Sequence, residues 1–274
     1  MSELAEKLFL FSLEGALFDA NGKVAAANVE MLRLLELRGG RYTVISDLPA
    51  ASVRMALKDL PAPGAPVICS GGTIVYDFSQ CQCLACQELC RSDSETLLWT
   101  LERAFPGIGL AVQIYDGPLQ IIRANSFIEE HLHDRSFGGI LIQLEYVPEK
   151  WLNASVFADE QQLSEVEQYI AEKGLQGDFT IVRRSCNQLQ ILPKTLDFSV
   201  AMETLYNATG VLPQDVLALG GSAGDSGWMN LVGKSAAAAD APLDVKMAAD
   251  DVLLCNAEEG AVAEFLYQSM KQYE

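Results

Sequence analysis

The stretch Lys7–Asp19, "KLFLFSLEGALFD", decides the fold. Its apolar run LFLF predicts a buried strand, and the segment Ser12–Gly15 breaks that run at a tight turn before apolar residues resume. In open parallel sheets, ligands bind at the carboxyl ends of the strands. We therefore expect any chemistry of this protein to lie at the Ser12–Gly15 turn.

The bulk composition limits the classes of protein that the chain can represent. It has 274 residues, half of them hydrophobic, and a formal net charge of −18. This length predicts one large domain or two modest ones, and such a polyanion is repelled by phosphate backbones. The N-terminus shows no export signal, and no apolar run reaches the roughly 18 residues that cross a bilayer. We expect a cytoplasmic protein with no nucleic-acid or membrane partner.

Strand-like and helix-like runs alternate at both ends of the chain. In residues 1–79 the pattern predicts strands at Leu8–Phe11, Tyr42–Ile45 and Pro66–Cys69, with helices at Asn28–Arg38 and Ala51–Leu57. In residues 190–274 it predicts helices at Ser199–Thr209, Met229–Ala239 and Ala257–Tyr273, with strands at Val216–Leu219 and Val252–Cys255. This alternation indicates an α/β fold with a parallel sheet that helices cover on both faces.

Residues 80–189 follow a different pattern. Strand-like runs at 119–124, 140–147 and 155–158 lie among helix-like runs at 94–105 and 163–174. The mixture predicts an α+β domain inserted into the parallel-sheet domain. The core domain is then discontinuous, formed by residues 1–79 and 190–274.

Six segments, in chain order, carry a resemblance to a known family. They are SLEGAL at 12–17, SDLP at 46–49, PVICSGGTIVYD at 66–77, LQILPKTLDFSVAM at 189–202, LALGGSAGDSGWMNLVG at 217–233 and ADAPLDVKMAADDV at 239–252. Together they resemble the haloacid dehalogenase superfamily, specifically its Cof-type sugar-phosphate phosphatases. The resemblance covers nearly the whole chain and implies a Rossmann-like core with an inserted Cof-type cap domain.

The resemblance also implies residue roles. In that family the first Asp of D-x-D attacks phosphorus and the second protonates the leaving group. A Lys neutralises the developing charge, and Mg²⁺ binds to the first Asp, a backbone carbonyl and the Asp of a later G-D pair. In this chain the catalytic positions hold Ser12 and Glu14, the Lys position holds Phe198, and the G-D position holds Gly221. Ser46 matches the family pattern.

The later Asp225 also matches, and it would be the metal ligand if a metal bound at all. Because Mg²⁺ prefers carboxylate oxygens, the replacements predict that no cofactor binds. Phosphoryl transfer depends mainly on electrostatic stabilisation, so we expect ordinary phosphatase activity to be impaired. The chain would then be a pseudoenzyme that binds a small phosphorylated metabolite. The phosphate-binding residues would be Ser46 and Gly15, with the backbone N–H groups of the turn.

An alternative is an active phosphate-monoester hydrolase rebuilt around Ser12 and Glu14. A serine nucleophile needs an adjacent base, and Glu14 lies two residues away. This hypothesis keeps Mg²⁺ as cofactor or takes a cation from Lys194 or Lys234. Whether the protein is an enzyme, which metabolite it binds and whether it self-associates are questions that the sequence leaves open.

Two further motifs are weaker. Four cysteines, Cys81, Cys83, Cys86 and Cys90, could form a metal site, but their irregular spacing favours reduced thiols. The segment 220–224, GGSAG, fits the G-x-S-x-G motif of α/β-hydrolases. That reading requires a histidine after Ser222, and both histidines of the chain precede it.

Overall fold

The structure is a computed structural model that describes residues 3–115, 117–135, 138–177 and 179–273. The strands are β1 Leu8–Ser12, β2 Arg41–Ile45, β3 Val67–Cys69, β4 Ile74–Asp77, β5 Gln82–Cys86, β6 Gly109–Ile114, β7 Leu119–Arg123, β8 Gly139–Leu141, β9 Trp151–Phe157, β10 Phe179–Ser185, β11 Gln188–Pro193, β12 Val216–Gly220, β13 Lys234–Ala237 and β14 Asp251–Val252. The helices are α1 Ala26–Leu37, α2 Ala50–Ala56, α3 Arg91–Ala104, α4 Ser126–Arg135, α5 Glu160–Glu172, α6 Phe198–Thr209, α7 Leu243–Ala248 and α8 Ala261–Met270.

The chain divides into two compact units. The core unit comprises residues 1–85 and 197–274, and the cap unit comprises residues 86–196. The sequence had predicted boundaries after residues 79 and 189. Both shift because β5 extends the core sheet past residue 79, and because β11 pairs with β9 and β10 inside the cap sheet.

An eight-stranded sheet forms the centre of the core unit, in the order β14-β13-β12-β1-β2-β3-β4-β5. All pairs from β14 to β3 are parallel, and β4 is antiparallel to β3. β1 is fully buried, as its apolar sequence predicts, and α8 packs Phe265 edge-on against Phe9 and Phe11. The predicted α/β class and parallel core sheet are confirmed.

The cap unit contains a six-stranded sheet in the order β10-β11-β9-β6-β7-β8. Its pairs are antiparallel except β7 with β8. The larger hydrophobic core of this unit lies under α3 and α5, and α4 covers a smaller cluster around Phe157. Within the described residues, no helix is both long enough and apolar enough to cross a membrane.

Several predicted elements were wrong in type or extent. The predicted helix Met229–Ala239 is a single 3₁₀ turn, Met229–Leu231, followed by the strand β13. Pairing with β12 overrides the helix propensity of the alanines. Just before β13, Gly233 packs closely on the backbone of Gln214, which precedes β12.

Three other predicted elements are shorter than expected. The last predicted strand is reduced to Asp251–Val252, and the last helix begins at Ala261 and ends in a 3₁₀ turn at Lys271–Tyr273. The predicted strand 140–147 is β8 followed by the 3₁₀ turn Leu144–Tyr146. These differences all fall at the ends of helices and strands, where the local sequence pattern predicts the boundary least well.

Candidate functional site

Three polar segments follow the carboxyl ends of neighbouring core strands. β1 lies between β2 and β12, with Ser12 opposite Ile45 and Phe11 opposite Leu219. The register therefore places Ser12, Ser46 and Gly221 at one edge of the sheet. These are sequence-predicted site positions, and the fold brings them together at the location expected for ligands.

The turn after β1 is held by its own backbone. Gly15 has φ of +78°, and its N–H donates to the Phe18 carbonyl at 3.0 Å. The Leu13 N–H donates to the Ile45 carbonyl at 2.8 Å. Both N–H groups were expected to be available to a phosphate, but each already has a backbone acceptor in this conformation.

Ser12 is buried, with 2% of its surface exposed, and its Oγ donates to the Glu14 backbone carbonyl at 3.0 Å. The Ser12 hydroxyl also lies near the Asp225 carboxyl and lowers the pKa of that group. The sequence had paired Ser12 with the side chain of Glu14. In the structure the carboxyl group that interacts with the Ser12 hydroxyl is that of Asp225.

The Glu14 carboxylate faces the loop after β2. Glu14 Oε1 accepts a hydrogen bond from Ser46 Oγ at 2.8 Å, and Oε2 accepts one from the Asp47 N–H at 3.4 Å. Ser46 is buried, and its Oγ accepts the Leu48 N–H at 3.0 Å. The hydroxyl that was expected to bind phosphate therefore donates its proton to a side chain of the protein itself.

Asp225 organises the loop after β12. Its Oδ2 accepts the N–H groups of Gly221 and Ser222 at 2.8 and 2.7 Å, and its Oδ1 accepts the Trp228 indole N–H at 3.2 Å. Burial raises the pKa of Asp225 to about 6, and the hydrogen bonds from Ser222, Gly221 and Ser12 oppose that rise. The carboxyl group thus stabilises the loop and remains partly protonated near pH 6.

The loops after β1 and β12 touch through their backbones. A Cβ atom added at Gly221 would lie under 3.0 Å from the backbone of Gly15 and Ala16, and one added at Gly15 would meet the Gly221 backbone equally closely. Real Cβ atoms essentially never approach other atoms so closely. The position that the resemblance assigns to a metal-binding Asp therefore accommodates no side chain in this conformation.

Phe198 occupies the position of the family's Lys, at the start of α6. A Cβ atom added at Gly72 or at Gly227 would lie under 3.0 Å from an edge atom of the Phe198 ring. The ring is therefore in contact with the backbone of both glycines, one after β3 and one in the Asp225 loop. An apolar ring that packs between two loops supplies no charge for phosphoryl transfer.

The residues present do not fit Mg²⁺. Ser12 offers a hydroxyl and Gly221 no side chain, while Asp225 Oδ2 already accepts two backbone N–H groups. Among the side chains that the structure describes, no group of three or more His, Cys, Asp or Glu could hold a metal ion. Mg²⁺ requires several oxygen ligands in near-octahedral geometry, which this donor set does not provide.

The two lysines considered as replacement cations each have a partner of their own. Lys234 begins β13, so it lies at the amino end of the sheet, where its Nζ pairs with Asp251 at 2.9 Å. Lys194 Nζ donates to the Gly177 carbonyl at 3.0 Å within the cap unit. Lys234 is therefore excluded from the strand-end site by its position in the sheet.

The four clustered cysteines lie on and around β5 as free thiols. Cys81, Cys86 and Cys90 are exposed, and the Cys83 Sγ donates to the Ala85 carbonyl at 3.1 Å. They are not among any metal-holding group in the described part of the chain. Cys69 lies outside this cluster and is buried at the end of β3. Burial, with the Glu14 charge, raises its thiol pKa.

Replacing Phe198 by Ala is expected to lower the free energy of unfolding by about 2 kcal/mol, because the ring loses its packing on two backbone segments. Val200→Ala, at a side chain 40% exposed in the same helix, should change it by less than about 0.5 kcal/mol. Urea unfolding of both variants measures the difference. Equal effects would show that the Phe198 ring does not connect the loops.

Comparison with known proteins identifies the family. The sequence profile of the haloacid dehalogenase-like hydrolases matches residues 9–266, which is nearly the whole chain. The chain belongs to the haloacid dehalogenase-like hydrolase family, as the resemblance predicted. No curated protein matches the chain.

Solved structures share the fold at low sequence identity. A haloacid dehalogenase-like hydrolase from Bacteroides thetaiotaomicron is 18% identical, with a TM-score of 0.83 over 96% of this chain and 99% of that one. One from B. subtilis is 16% identical, with a TM-score of 0.81 over 95% and 99%. A subclass IIB sugar phosphatase of the superfamily is 15% identical, with a TM-score of 0.80 over 97% and 98%. These similarities show the fold of core plus cap.

Proposed function

We propose that this chain is a catalytically impaired member of its family that binds a phosphorylated metabolite without hydrolysing it. The observation that carries the proposal is the backbone contact between Gly15 and Gly221. Without a carboxylate at position 221 and with Ser12 at the nucleophile position, the strand-end site has too few oxygen ligands for Mg²⁺. Without a Lys at 198, the charge of a transferring phosphoryl group also lacks its usual counterion.

The proposed ligand follows from what the site retains. The Ser46 hydroxyl and the Asp47 N–H converge on one anionic group, the Glu14 carboxylate, at the carboxyl end of β2. A hydroxyl and an N–H group aimed at the same oxyanion are suited to a phosphate ester as well as to a carboxylate. A small phosphorylated metabolite is the ligand class that matches both this donor pair and the family.

The experiment is hydrolysis of an aryl phosphate by the purified protein, with Mg²⁺ and with EDTA, beside Ser12→Ala. We expect no turnover above that of Ser12→Ala in either condition. A panel of sugar phosphates, matched for ionic strength, should contain at least one ester that raises the melting temperature of the wild type. Mg²⁺-dependent turnover that Ser12→Ala abolishes would refute the impairment.

A second candidate function is Mg²⁺-independent hydrolysis with Ser12 as nucleophile. It is favoured by the proximity of the Ser12 hydroxyl to Asp225 and by the raised pKa of that carboxyl, about 6. In this scheme Ser12 Oγ bonds to phosphorus and its proton passes to the Asp225 carboxylate, which donates it to the ester oxygen as the P–O ester bond breaks and the alcohol leaves. Water then attacks phosphorus, the bond between phosphorus and Ser12 Oγ breaks, and a proton of that water returns to Ser12. Turnover should persist in EDTA, rise as the pH passes about 6 and disappear in Ser12→Ala.

A further inference from the structure

The donor pair at the end of β2 already holds an anion. Ser46 Oγ lies 2.8 Å from Glu14 Oε1, and the Asp47 N–H lies 3.4 Å from Oε2. The two bonds engage both oxygens of one carboxylate, so the group is held at two points. Hydrogen bonds to an ionised acceptor are stronger than those between neutral groups, so the 2.8 Å bond from Ser46 holds Glu14 most firmly, while the 3.4 Å contact from the Asp47 N–H is long and weak.

While Ser46 is hydrogen-bonded to Glu14, its hydroxyl group has no proton left for another anion. A hydroxyl group has one proton to donate, and Ser46 directs it to Glu14. The other side of Ser46 Oγ is also used, because it accepts the Leu48 N–H at 3.0 Å. Ser46 therefore cannot donate to a second oxyanion while the Glu14 carboxylate is in place, and the carboxylate charge also repels an approaching phosphate.

We propose that the Glu14 carboxylate is a built-in occupant of the oxyanion position formed by Ser46 Oγ and the Asp47 N–H. An anionic ligand binds to this position only by displacing Glu14. Glu14 thus acts as an internal competitor that sets the affinity of the core unit for oxyanions. This inference rests on the proposed function and deepens it by naming the group that a phosphorylated ligand must replace.

The test uses the full-length protein and inorganic phosphate as probe, with the dissociation constant measured by titration calorimetry at constant ionic strength. Glu14→Ala vacates the position and should bind phosphate at least about tenfold more tightly than the wild type, the range expected from one charged hydrogen bond. The double variant Glu14→Ala/Ser46→Ala should lose this gain, because the hydroxyl donor is gone.

Two matched variants separate displacement from other effects. Asp47→Asn removes a nearby negative charge but keeps the backbone N–H of residue 47 and the Glu14 carboxylate. Its affinity for phosphate should therefore exceed that of the wild type by no more than about threefold. Glu14→Gln keeps a hydrogen-bond acceptor for Ser46 but loses the charge. Its gain in phosphate affinity should therefore fall between those of Asp47→Asn and Glu14→Ala. If Glu14→Ala does not fold, the phosphate affinity of Glu14→Gln is compared with that of the wild type instead.

The outcomes distinguish this inference from the proposed function. Equal phosphate affinity of the wild type and Glu14→Ala, or an equal gain in Asp47→Asn, overturns the displacement of Glu14. If the wild type still binds a sugar phosphate in that case, the proposed function stands alone. If Glu14→Ala gains phosphate affinity but the wild type binds no ester of the panel, the internal competitor is supported and the proposed function fails.

Discussion

Gly221→Ala is expected to lower the free energy of unfolding by about 3 kcal/mol, an effect typical of forced overpacking. The methyl group would lie under 3.0 Å from the backbone of Gly15 and Ala16, which cannot move aside as a flexible side chain could. Gly221 does not have a positive φ, so this cost arises from the contact alone. Urea unfolding of the variant and the wild type measures it.

Gly138→Ala is the control for this prediction. A Cβ atom at Gly138 meets nothing within 4 Å, and its φ is not positive. Its unfolding free energy should change by less than about 0.5 kcal/mol. If Gly221→Ala were as neutral as this control, the backbones of the two loops would not be in contact, and position 221 would accommodate a side chain.

The same contact governs any attempt to build metal-dependent catalysis into this site. The combination of Ser12→Asp, Phe198→Lys and Gly221→Asp replaces the side chains that the family resemblance identifies as missing. The carboxylate at 221 is larger than a methyl group and meets the same backbone. We expect the triple variant to show no Mg²⁺-dependent turnover unless the Gly15 turn also moves.

Asp225→Ala is expected to lower the free energy of unfolding by about 3 kcal/mol at pH 7. The change leaves the N–H groups of Gly221 and Ser222 and the Trp228 indole N–H without their shared acceptor, at about 1–3 kcal/mol for each buried group left unpaired. Relief of the cost of burying a charge offsets part of this loss. Asp244→Asn, at an exposed carboxylate in the same region, is the control and should change it by less than about 0.5 kcal/mol.

The pH dependence gives a second readout for Asp225. Its folded-state pKa is raised from 3.8 to about 6, so the folded protein holds this proton more tightly than the unfolded chain does. The corresponding stability is present below about pH 4 and is lost as the pH rises through about 6, a change of roughly 3 kcal/mol at about 1.4 kcal/mol per pKa unit. Asp225→Asn should remove this component.

The checking measurement is the difference in unfolding free energy between the wild type and Asp225→Asn, in urea, at several pH values from 4 to 7. Other carboxyl groups contribute equally to both proteins and cancel. The wild type should lose stability relative to the variant across this range. A difference that stays constant with pH would mean that Asp225 titrates normally in the folded protein.

The sequence predicted the core fold because its signals are redundant. The LFLF run of β1 and the alternating elements at both ends of the chain each indicate a parallel sheet, so a single error does not change the topology. The Met229–Ala239 helix failed because a run of small residues fits a helix locally, while the neighbouring strand decides between helix and strand. Such tertiary pairing cannot be read from a short segment.

The positions of the site residues could be predicted from the sequence, but their hydrogen-bond partners could not. Strand order places Ser12, Ser46 and Gly221 together once the parallel sheet is recognised. The side-chain direction of Glu14 depends on the turn conformation at Gly15, so its bond to Ser46 has no sequence signature. Trp228 and the Asp47 N–H were missed for the same reason, although each lies within three residues of a predicted site residue.

The contact between Gly15 and Gly221 imposes an order on sequence change at this site. A carboxylate becomes tolerable at position 221 only after the turn at Gly15 has adopted another path, because the backbone itself occupies the space. Substitutions that fill this space first are expected to lower the free energy of unfolding. The two loops are therefore coupled in sequence: the path of the turn at Gly15 must change before position 221 can hold any side chain.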